Sequence, residues 1–249
     1  MKKTYCQTRL TPTQVRAFHD LINTCQACEP LRLGFPDDAD NFLFTCEGTM
    51  ILSCLIVCQV QEDVWECYVF THPDWRRKGL CRDLIGELCK QTPADTELVF
   101  LLDHQSPDAL AAFSSLEMEH WRTEYQMERN IGAASFPPPS FILTQEEIVE
   151  EYDGKKGWLF SALSASPPIL LGSCRILAHR PAEFYLYHVE MVEKYRNQGW
   201  GTKLIQAVLQ TLPQPSRLFL HVSSDNPAAV NLYKKTGFHI TETLSYYLY

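Results

Sequence analysis

The pattern of hydrophobic and polar residues predicts strands first. After these strands, it predicts helices and strands in alternation. The most apolar window, residues 50–60, is far shorter than the ~20 residues of a membrane helix and is typical of a buried strand. In the C-terminal half, residues 158–163, 169–177 and 184–192 predict three successive strands. The Pro-Pro pair at 167–168 predicts the turn between the first two.

Helical periodicity begins at Gly201. Five apolar residues then fall on one helix face: Leu204, Ile205, Val208, Leu209 and Leu212. Residues 217–222 predict a strand, and Asn226-Pro227 predicts the cap and first turn of a second helix that ends near Gly237. Residues 242–248 predict a last strand. The pattern therefore predicts a mixed α/β fold.

The chain also repeats itself at a constant spacing. Residues 75–80 (WRRKGL) resemble residues 195–200 (YRNQGW), which lie 120 positions further on. The same spacing aligns 53–56 with 173–176, 84–85 with 204–205, 106–107 with 226–227, and Phe113 with Tyr233. Such self-similarity predicts a tandem duplication, that is, two lobes of the same topology related by an approximate rotation.

The junction between the copies is rich in small residues and proline. Residues 132–140 include three consecutive prolines, which remove backbone donors and favour extended geometry. We therefore expect an N-terminal lobe over residues 1–131, a stiff linker over 132–140 and a C-terminal lobe over 141–249.

Charge and cysteine content exclude several classes of function. The net charge of −8 argues against nucleic-acid binding, which usually needs a basic face, and suits a cationic substrate or solubility alone. The N-terminus has no apolar stretch typical of a signal peptide, and no membrane segment is expected. Nine of ten cysteines precede residue 90, several inside apolar runs, and Cys25 and Cys28 have no second pair for zinc. We expect reduced thiols, no metal and a cytoplasmic protein.

The chemistry is concentrated in residues 189–204, where a strand leads into a loop with Gly199 and Gly201 and a helix follows at once. Backbone N–H groups at a helix start carry about half a positive charge and can bind an anion, and glycine lets a pyrophosphate approach. The glycines alone are equally consistent with a tight turn.

Two motifs resemble those of the GNAT family of N-acetyltransferases. The first is Arg-x-x-Gly-x-Gly at 196–201, between a strand and a helix. The second spans 226–238 and matches the pattern Asn-x-x-Ala-x-x-Leu-Tyr-x-x-x-Gly-Phe through Asn226, Ala229, Leu232, Tyr233, Gly237 and Phe238. The resemblance is strong over residues 184–240 and weaker upstream. It implies two tandem acyl-CoA N-acyltransferase lobes with acetyl-CoA as co-substrate.

The resemblance also implies roles for individual residues. The strand ending at Met191 and Val192 should diverge from its neighbour, so that its freed backbone groups bind pantetheine and polarise the thioester. The pyrophosphate site would comprise Arg196, Asn197, Gln198, Gly199, Trp200, Gly201 and Thr202. Asn226 would touch the coenzyme near the pantetheine arm, and Tyr233 would protonate the leaving thiolate. The alternative for Tyr233 is a core position.

An amine must be neutral to attack, so a base is expected on or near the same strand. Glu183, His188 and Glu190 are candidates, and we favour Glu190 as the catalytic base. Strand alternation puts His188 and Glu190 on one face unless a bulge changes the parity. Glu190 is equally explained as a solvent-facing carboxylate.

The N-terminal copy departs from the family pattern. Cys81, Ser106, Phe113 and Glu117 stand where the second copy has Gly201, Asn226, Tyr233 and Gly237, while Arg76 and Gly79 remain. Without the phenol we expect the first lobe to be non-catalytic, although it keeps part of the coenzyme motif.

The sequence therefore predicts a cytoplasmic N-acetyltransferase that acts on a primary amine of a small molecule or peptide. Transfer of another acyl group and a non-catalytic acyl-CoA sensor or scaffold are the alternatives. The intact coenzyme motif disfavours aminoacyl-tRNA-dependent peptidoglycan enzymes with paired lobes of this fold. Residues 144–157 are expected to be a loop or short helix whose glutamates, Glu146, Glu147, Glu150 and Glu151, attract a cation or face water. We expect a monomer with an internal pseudo-dimer, or a homodimer.

Overall fold

The computed structural model describes residues 2–29, 31–36, 39–104, 106–132, 136–150 and 154–249. They form two compact units. The first unit comprises Met1–Thr123 with Thr243–Tyr249, and the second comprises Glu124–Glu242. This grouping differs from the limits expected from the sequence because residues 124–131 belong to the second unit and the last seven residues to the first. The functional division of the lobes stays a prediction.

The described residues of the first unit form a sheet and three helices. Its elements are β1 (Lys2–Gln7), α1 (Pro12–Cys28), β2 (Asn41–Glu47), β3 (Met50–Gln59), β4 (Val64–Thr71), a 3-10 turn (Pro73–Trp75), α2 (Leu80–Cys89), β5 (Glu97–Asp103), α3 (Pro107–Ser115) and the start of β6 (Glu119–Ile131). Strands β1 to β4 pair antiparallel in order, and β4 pairs parallel with β5. Residues 244–248 of the last strand, β12 (His239–Leu248), pair antiparallel with β5.

Helices cover both faces of the first sheet. On one face α1 buries Phe18, Leu21 and Ile22 against Phe44 and Ile56. On the other face α2 and α3 bury Leu84, Ile85 and Phe113 against strand residues that include Leu55 and Phe100. The window at 50–60 is thus a buried strand, as predicted.

The second unit repeats most of this order. It contains residues 124–131 of β6, then β7 (Ile142–Val149), β8 (Lys156–Leu163), β9 (Leu170–Arg180), β10 (Glu183–Met191), a 3-10 turn (Glu193–Tyr195), α4 (Trp200–Thr211), β11 (Ser216–Ser223), α5 (Pro227–Lys235) and the start of β12. The strands and helices predicted after residue 158 are confirmed, with Asn226 as the N-cap of α5. Strand β6 pairs antiparallel with β11 from Glu124↔Ser223 to Ile131↔Ser216.

The expectation for residues 144–157 is wrong. Most of β7 falls in this range, and it pairs antiparallel with β8 from Ile142↔Leu163 to Val149↔Lys156. Backbone pairing with β8 thus fixes Glu146 and Glu147 on a strand. Glu151 and residues 133–135 of the expected linker lie outside the described residues. Among the described residues of the second unit, the helices are α4 and α5, and both pack in one core cluster with Leu218 and Ile176.

Strand pairing shows that the spacing between the two copies is not constant, because it changes by one residue at strand β9. Thr71 pairs with Ser53 in the first unit, whereas its counterpart Met191 pairs with Gly172 in the second. Strand β9 is therefore shifted by 119 residues from β3, and the alignment of 53–56 with 173–176 is wrong by one position. Since a one-residue shift reverses the side-chain face, Cys54 faces the α1 cluster while Cys174 faces α4.

From the end of β4 onward the spacing of 120 holds. The two 3-10 turns, α2 and α4, and α3 and α5 all begin 120 residues apart. Left-handed backbone conformations recur at Arg77 and Asn197, at Gly79 and Gly199, and at Glu117 and Gly237. The two copies thus share their turn geometry even where their residues differ.

Three further properties concern both units. All ten cysteines are free thiols, and burial raises the pKa of several of them. Within the described ranges no three His, Cys, Asp or Glu side chains are grouped as a metal site requires. No helix in the described part of the chain is long and apolar enough to cross a membrane.

Candidate active site

The loop before α4 has the form of an anion-binding site. Asn197 and Gly199 adopt φ values of 58° and 80°, and Gly199 is the N-cap of α4. Lys203 N donates to Gly199 O, which leaves the N–H groups of the first helical turn without intrahelical acceptors. These groups lie at the positive end of the helix dipole, so the loop favours a negatively charged ligand.

A hydrogen bond from its side chain to the backbone of β10 holds Arg196 beside this loop. Its Nε donates to Met191 O at 3.1 Å, which fixes the side chain against the end of β10. Its two Nη groups have no partner among the described residues, and the side chain is exposed. The guanidinium therefore remains available to a phosphate, and its role in binding one stays a prediction.

Gly201 and Gly199 have different structural reasons to be glycine. Gly199 requires left-handed geometry, whereas the backbone of Gly201 is ordinary helix. A Cβ at Gly201 would come no closer than 3.4 Å to Leu232 Cδ2, which is a normal contact. A methyl group alone is thus tolerated by the protein at Gly201. Trp200, Gln198 and Thr202 lie in the same turn.

Strands β10 and β11 diverge, as predicted. They pair in parallel only from Glu183↔Arg217 to Tyr185↔Phe219, and the rest of β10 up to Met191 has no partner on that side. Val192 N donates to Leu171 O on β9 at 3.0 Å, so this N–H group is already bonded. Backbone alternation turns the N–H of Met191 towards the side from which β11 has diverged.

A bulge lies at the same point of β10. Tyr187 pairs with Arg175 and Glu190 with Ser173, so three steps on β10 match two on β9. The bulge contains His188, whose φ is 47°, and its extra residue is left unpaired. Strand β4 of the first unit pairs with β3 without any such interruption.

The bulge decides where Glu190 points. Because Arg175 and Ser173 lie on the same face of β9, their partners Tyr187 and Glu190 share that face. Tyr187 and Glu190 therefore do not follow simple alternation, and Glu190 lies on the face that carries an aromatic cluster. That cluster comprises Tyr185, Tyr187, Phe219 and His221, with Tyr185 and Tyr187 stacked at 5.5 Å.

Sequence reasoning missed this aromatic cluster. Tyr185 and Tyr187 on β10, and Phe219 and His221 on β11, are spaced by two residues, and that period could have placed each pair on one face. Burial lowers the pKa of His221 and raises that of Tyr185. Glu150 also belongs to this face, because the Tyr187 hydroxyl donates a hydrogen bond to its carboxylate. Arg175 Nη1 lies 3.5 Å from Glu150 Oε1.

Tyr233 lies on α5 with its ring in the hydrophobic core. The residue is 7% exposed, and its ring meets Phe238 edge-on at 5.8 Å. Burial raises its pKa to about 12, with smaller contributions from Cys174 and Tyr185. Its hydroxyl makes no hydrogen bond to any described residue, so its proton is not committed to a structural acceptor.

Asn226 is occupied by a structural role. Its Oδ1 accepts a hydrogen bond from Ala229 N at 3.0 Å and so caps α5. The amide NH2 remains free to donate, and the residue is exposed. Arg129 donates to Thr236 O and lies under Gly237, where a Cβ would come within 2.7 Å of its Nη1.

In the first unit the counterpart of Arg196 is paired with carboxylates. Arg76 Nε contacts Thr71 O at 3.4 Å, as Arg196 contacts Met191 O. Its Nη groups, however, bind Glu29 and Asp108. A cavity of about 480 Å³ lies beside this arginine, and it is lined partly by Phe113. This cavity is thus in the copy that the sequence predicted to be non-catalytic.

Comparison with known proteins supports one family. Residues 115–238 match the profile of the acetyltransferase (GNAT) family. An N-alpha-acetyltransferase of Sulfurisphaera tokodaii is 33% identical over 66 residues, which are 25% of this chain and 40% of that protein. The chain thus matches less than half the length of this curated relative.

Solved structures share the fold over the whole chain. A GCN5-related N-acetyltransferase from Sphaerobacter thermophilus superposes with a TM-score of 0.70 at 14% identity, covering 99% of this chain and 95% of that one. A tandem GNAT protein from the clavulanic acid biosynthesis pathway gives 0.68 at 14% identity, covering 100% and 98%. The profile match, the motifs and the fold agree, and the chain belongs to the GNAT acetyltransferase family.

Proposed function

We propose that the protein transfers an acetyl group from acetyl-CoA to a primary amine, and that the second unit does so. The observation that carries the proposal is the divergence of β10 and β11 beside the loop of α4. A thioester lying between the strands would meet the N–H of Met191, while its diphosphate would meet the α4 N–H groups and Arg196.

The reaction consists of one displacement at the thioester carbonyl. The neutral amine nitrogen attacks the carbonyl carbon, a C–N bond forms, and the C–S bond breaks. The leaving sulfur takes a proton from a donor, and the attacking nitrogen loses one. The products are the N-acetylated amine and coenzyme A with a free thiol.

Tyr233 is the proposed proton donor. With a pKa raised to about 12 by burial, it is fully protonated at neutral pH. Its hydroxyl has no competing acceptor among the described residues. The proton would go to the thiolate as the C–S bond breaks.

Glu190 is the proposed base, acting directly or through water. The β10 bulge places it on the face of Tyr185 and Tyr187, beside the point where β10 and β11 diverge. A carboxylate and an aromatic face both attract an ammonium group, so this side favours an acceptor that arrives as a cation. Glu190→Gln should lower turnover, and the exposed Glu193→Gln is the matched control.

A screen of amines with acetyl-CoA tests the proposed function. Product should be followed by mass spectrometry, because exposed Cys6, Cys28 and Cys89 would add background to a thiol reagent. We expect acetylation of at least one amine, lost in Tyr233→Phe and Gly201→Asp. If the protein binds acetyl-CoA but acetylates no small or peptide amine, a non-catalytic acyl-CoA-binding role replaces the proposal.

Other assignments follow from the same proposal. Acetyl-CoA is the proposed co-substrate and no metal is required by this mechanism. Ten free thiols suit a reducing compartment, and we propose the cytoplasm.

A further inference from the structure

The first unit contains a cavity that the proposed reaction does not use. It has a volume of about 480 Å³ and lies between β4, the start of α2 and one side of α3. This volume falls within the ~300–1,000 Å³ of typical small-molecule sites. Its walls are mainly apolar and include Leu31, Val69, Leu101, Ala109, Ala112 and Phe113.

The arginine at the end of this cavity is already neutralised. Arg76 makes two parallel bonds to Glu29, from Nη1 to Oε1 at 3.0 Å and from Nη2 to Oε2 at 3.1 Å. Nη1 also donates to Asp108 Oδ2 at 3.1 Å. The side chains of Arg76 and Glu29 are 18% and 14% exposed, so the pair is shielded from screening by solvent.

Further bonds tie these carboxylates to the surrounding elements. Ser106 Oγ, the N-cap of α3, donates to Glu29 Oε2 at 3.0 Å. Arg77 donates to Asp108 Oδ1 at 2.8 Å, and the bonds from Arg77 and then Arg76 hold the pKa of Asp108 below its usual range. Glu29 follows the end of α1, an element with no counterpart among the described residues of the second unit.

Arg76 and Arg196, which hold equivalent positions in the two copies, therefore differ in whether their Nη groups are bonded. Arg196 has both Nη groups free of described partners, whereas both Nη groups of Arg76 are bonded to carboxylates. A diphosphate entering the first unit would have to displace Glu29 and meet Asp108 as a like charge. The phenol of the second copy is replaced by Phe113, which adds apolar wall.

We propose that this cavity binds an uncharged, largely apolar small molecule and excludes coenzyme A. The charged side chains at its end, Arg76, Glu29 and Asp108, are paired with one another, so an anionic ligand would have to displace a carboxylate. An apolar ligand would be stabilised by burial of its surface, at roughly 25 cal/mol per Å². The site is separate from the proposed acetyl-transfer site and needs no catalytic step.

Fluorescence titration of the whole protein tests the proposal. The uncharged probe N-phenyl-1-naphthylamine should bind at one site per chain, and excess coenzyme A should not displace it. Its anionic relative 1-anilinonaphthalene-8-sulfonate should bind at least about ten-fold more weakly, a difference of ~1.4 kcal/mol.

Variants then locate the site. Ala109→Trp fills the cavity and should weaken binding of the uncharged probe at least about ten-fold. Ala109→Leu should give a smaller loss and guards against misfolding of the larger variant, with thermal melts as the check. Ala229→Trp is the matched control, because Ala229 holds the same place in the second unit, and it should bind the probe as the wild type does.

Three results would overturn the proposal. They are displacement of the probe by coenzyme A in Gly201→Asp protein, equal affinity for the two probes, and full probe binding in both Ala109 variants. None of these readouts requires acetyl transfer. An inactive protein that still binds the uncharged probe in this pattern would thus refute the proposed function and leave this inference standing.

Discussion

Replacing Tyr233 by phenylalanine removes one hydroxyl and tests the proposed proton donor. The hydroxyl has no described hydrogen-bond partner and its ring is 7% exposed, so its loss should change the free energy of unfolding at pH 7 by less than about 1 kcal/mol. Loss of general acid catalysis typically lowers turnover about 10²–10⁴-fold, or roughly 3–5 kcal/mol of barrier. Activity and stability should therefore separate clearly.

The raised pKa adds a second, independent signature. Between the ordinary value of 10.0 and about 12, the unfolded phenol ionises while the folded one keeps its proton. The folded state therefore loses relative stability as pH rises through this window, and two units correspond to about 3 kcal/mol at most. This loss should be absent in Tyr233→Phe, so the variant should become the more stable protein above about pH 11.

The assays are steady-state acetylation and urea unfolding at pH 7 and between pH 10 and 12. Calorimetry should show coenzyme affinity nearly unchanged. Phe113→Tyr should restore little activity, because Cys81 and Ser106 also differ from the family pattern. A harmless Tyr233→Phe together with an inactive but folded Gly79→Asp would show that the catalytic copy has been chosen wrongly. If both variants are impaired, both copies contribute to activity.

Three further perturbations follow from the same geometry. Gly201→Asp should abolish acetyl-CoA binding through like-charge repulsion. Gly201→Ala should fold normally, because a Cβ at this position meets nothing closer than 3.4 Å. An unchanged calorimetric affinity for acetyl-CoA in a folded Gly201→Asp protein would contradict the proposed site. Gly79→Asp should cost about 1 kcal/mol of stability because Gly79 has a φ of 81°, yet leave turnover within a few-fold of wild type, as measured by melts and initial rates. A thiol reagent at pH 8 should label Cys6, Cys28 and Cys89 in the native protein, while Cys54, Cys67 and Cys174 react only after unfolding, as peptide mapping would show.

The sequence predicted those parts of the fold that depend on local patterns. Alternating residues located the strands of the second unit, and the helix faces and caps of α4 and α5 were visible in residues such as Leu204 and Asn226. The loop proposed to bind the coenzyme was also recognisable, because its glycines and Arg196 are close in sequence. These features are encoded within a few neighbouring residues.

Long-range pairing could not be predicted in the same way. The bulge at His188 is a property of β10 against β9, and the constant spacing of the flanking motifs concealed the compensating shift in β9. The link between Glu29 and Arg76 joins residues 47 positions apart, and nothing in either neighbourhood indicates it. Glu146 and Glu147 were assigned to a loop or short helix because their partners on β8, Leu159 and Trp158, lie further along the chain.

The sharing of strands between the copies limits how this protein can be divided. Cutting within the proline-rich segment would leave a fragment from residue 141 without residues 124–131, so the backbone of Ser216–Ser223 would lose its β6 partner. The N-terminal fragment would likewise lose the partner of Val99–Asp103. Unpaired strand edges promote aggregation, so the two halves should be insoluble when made alone and recover when made together. A portable version of the second unit would instead run from Glu124 to Glu242.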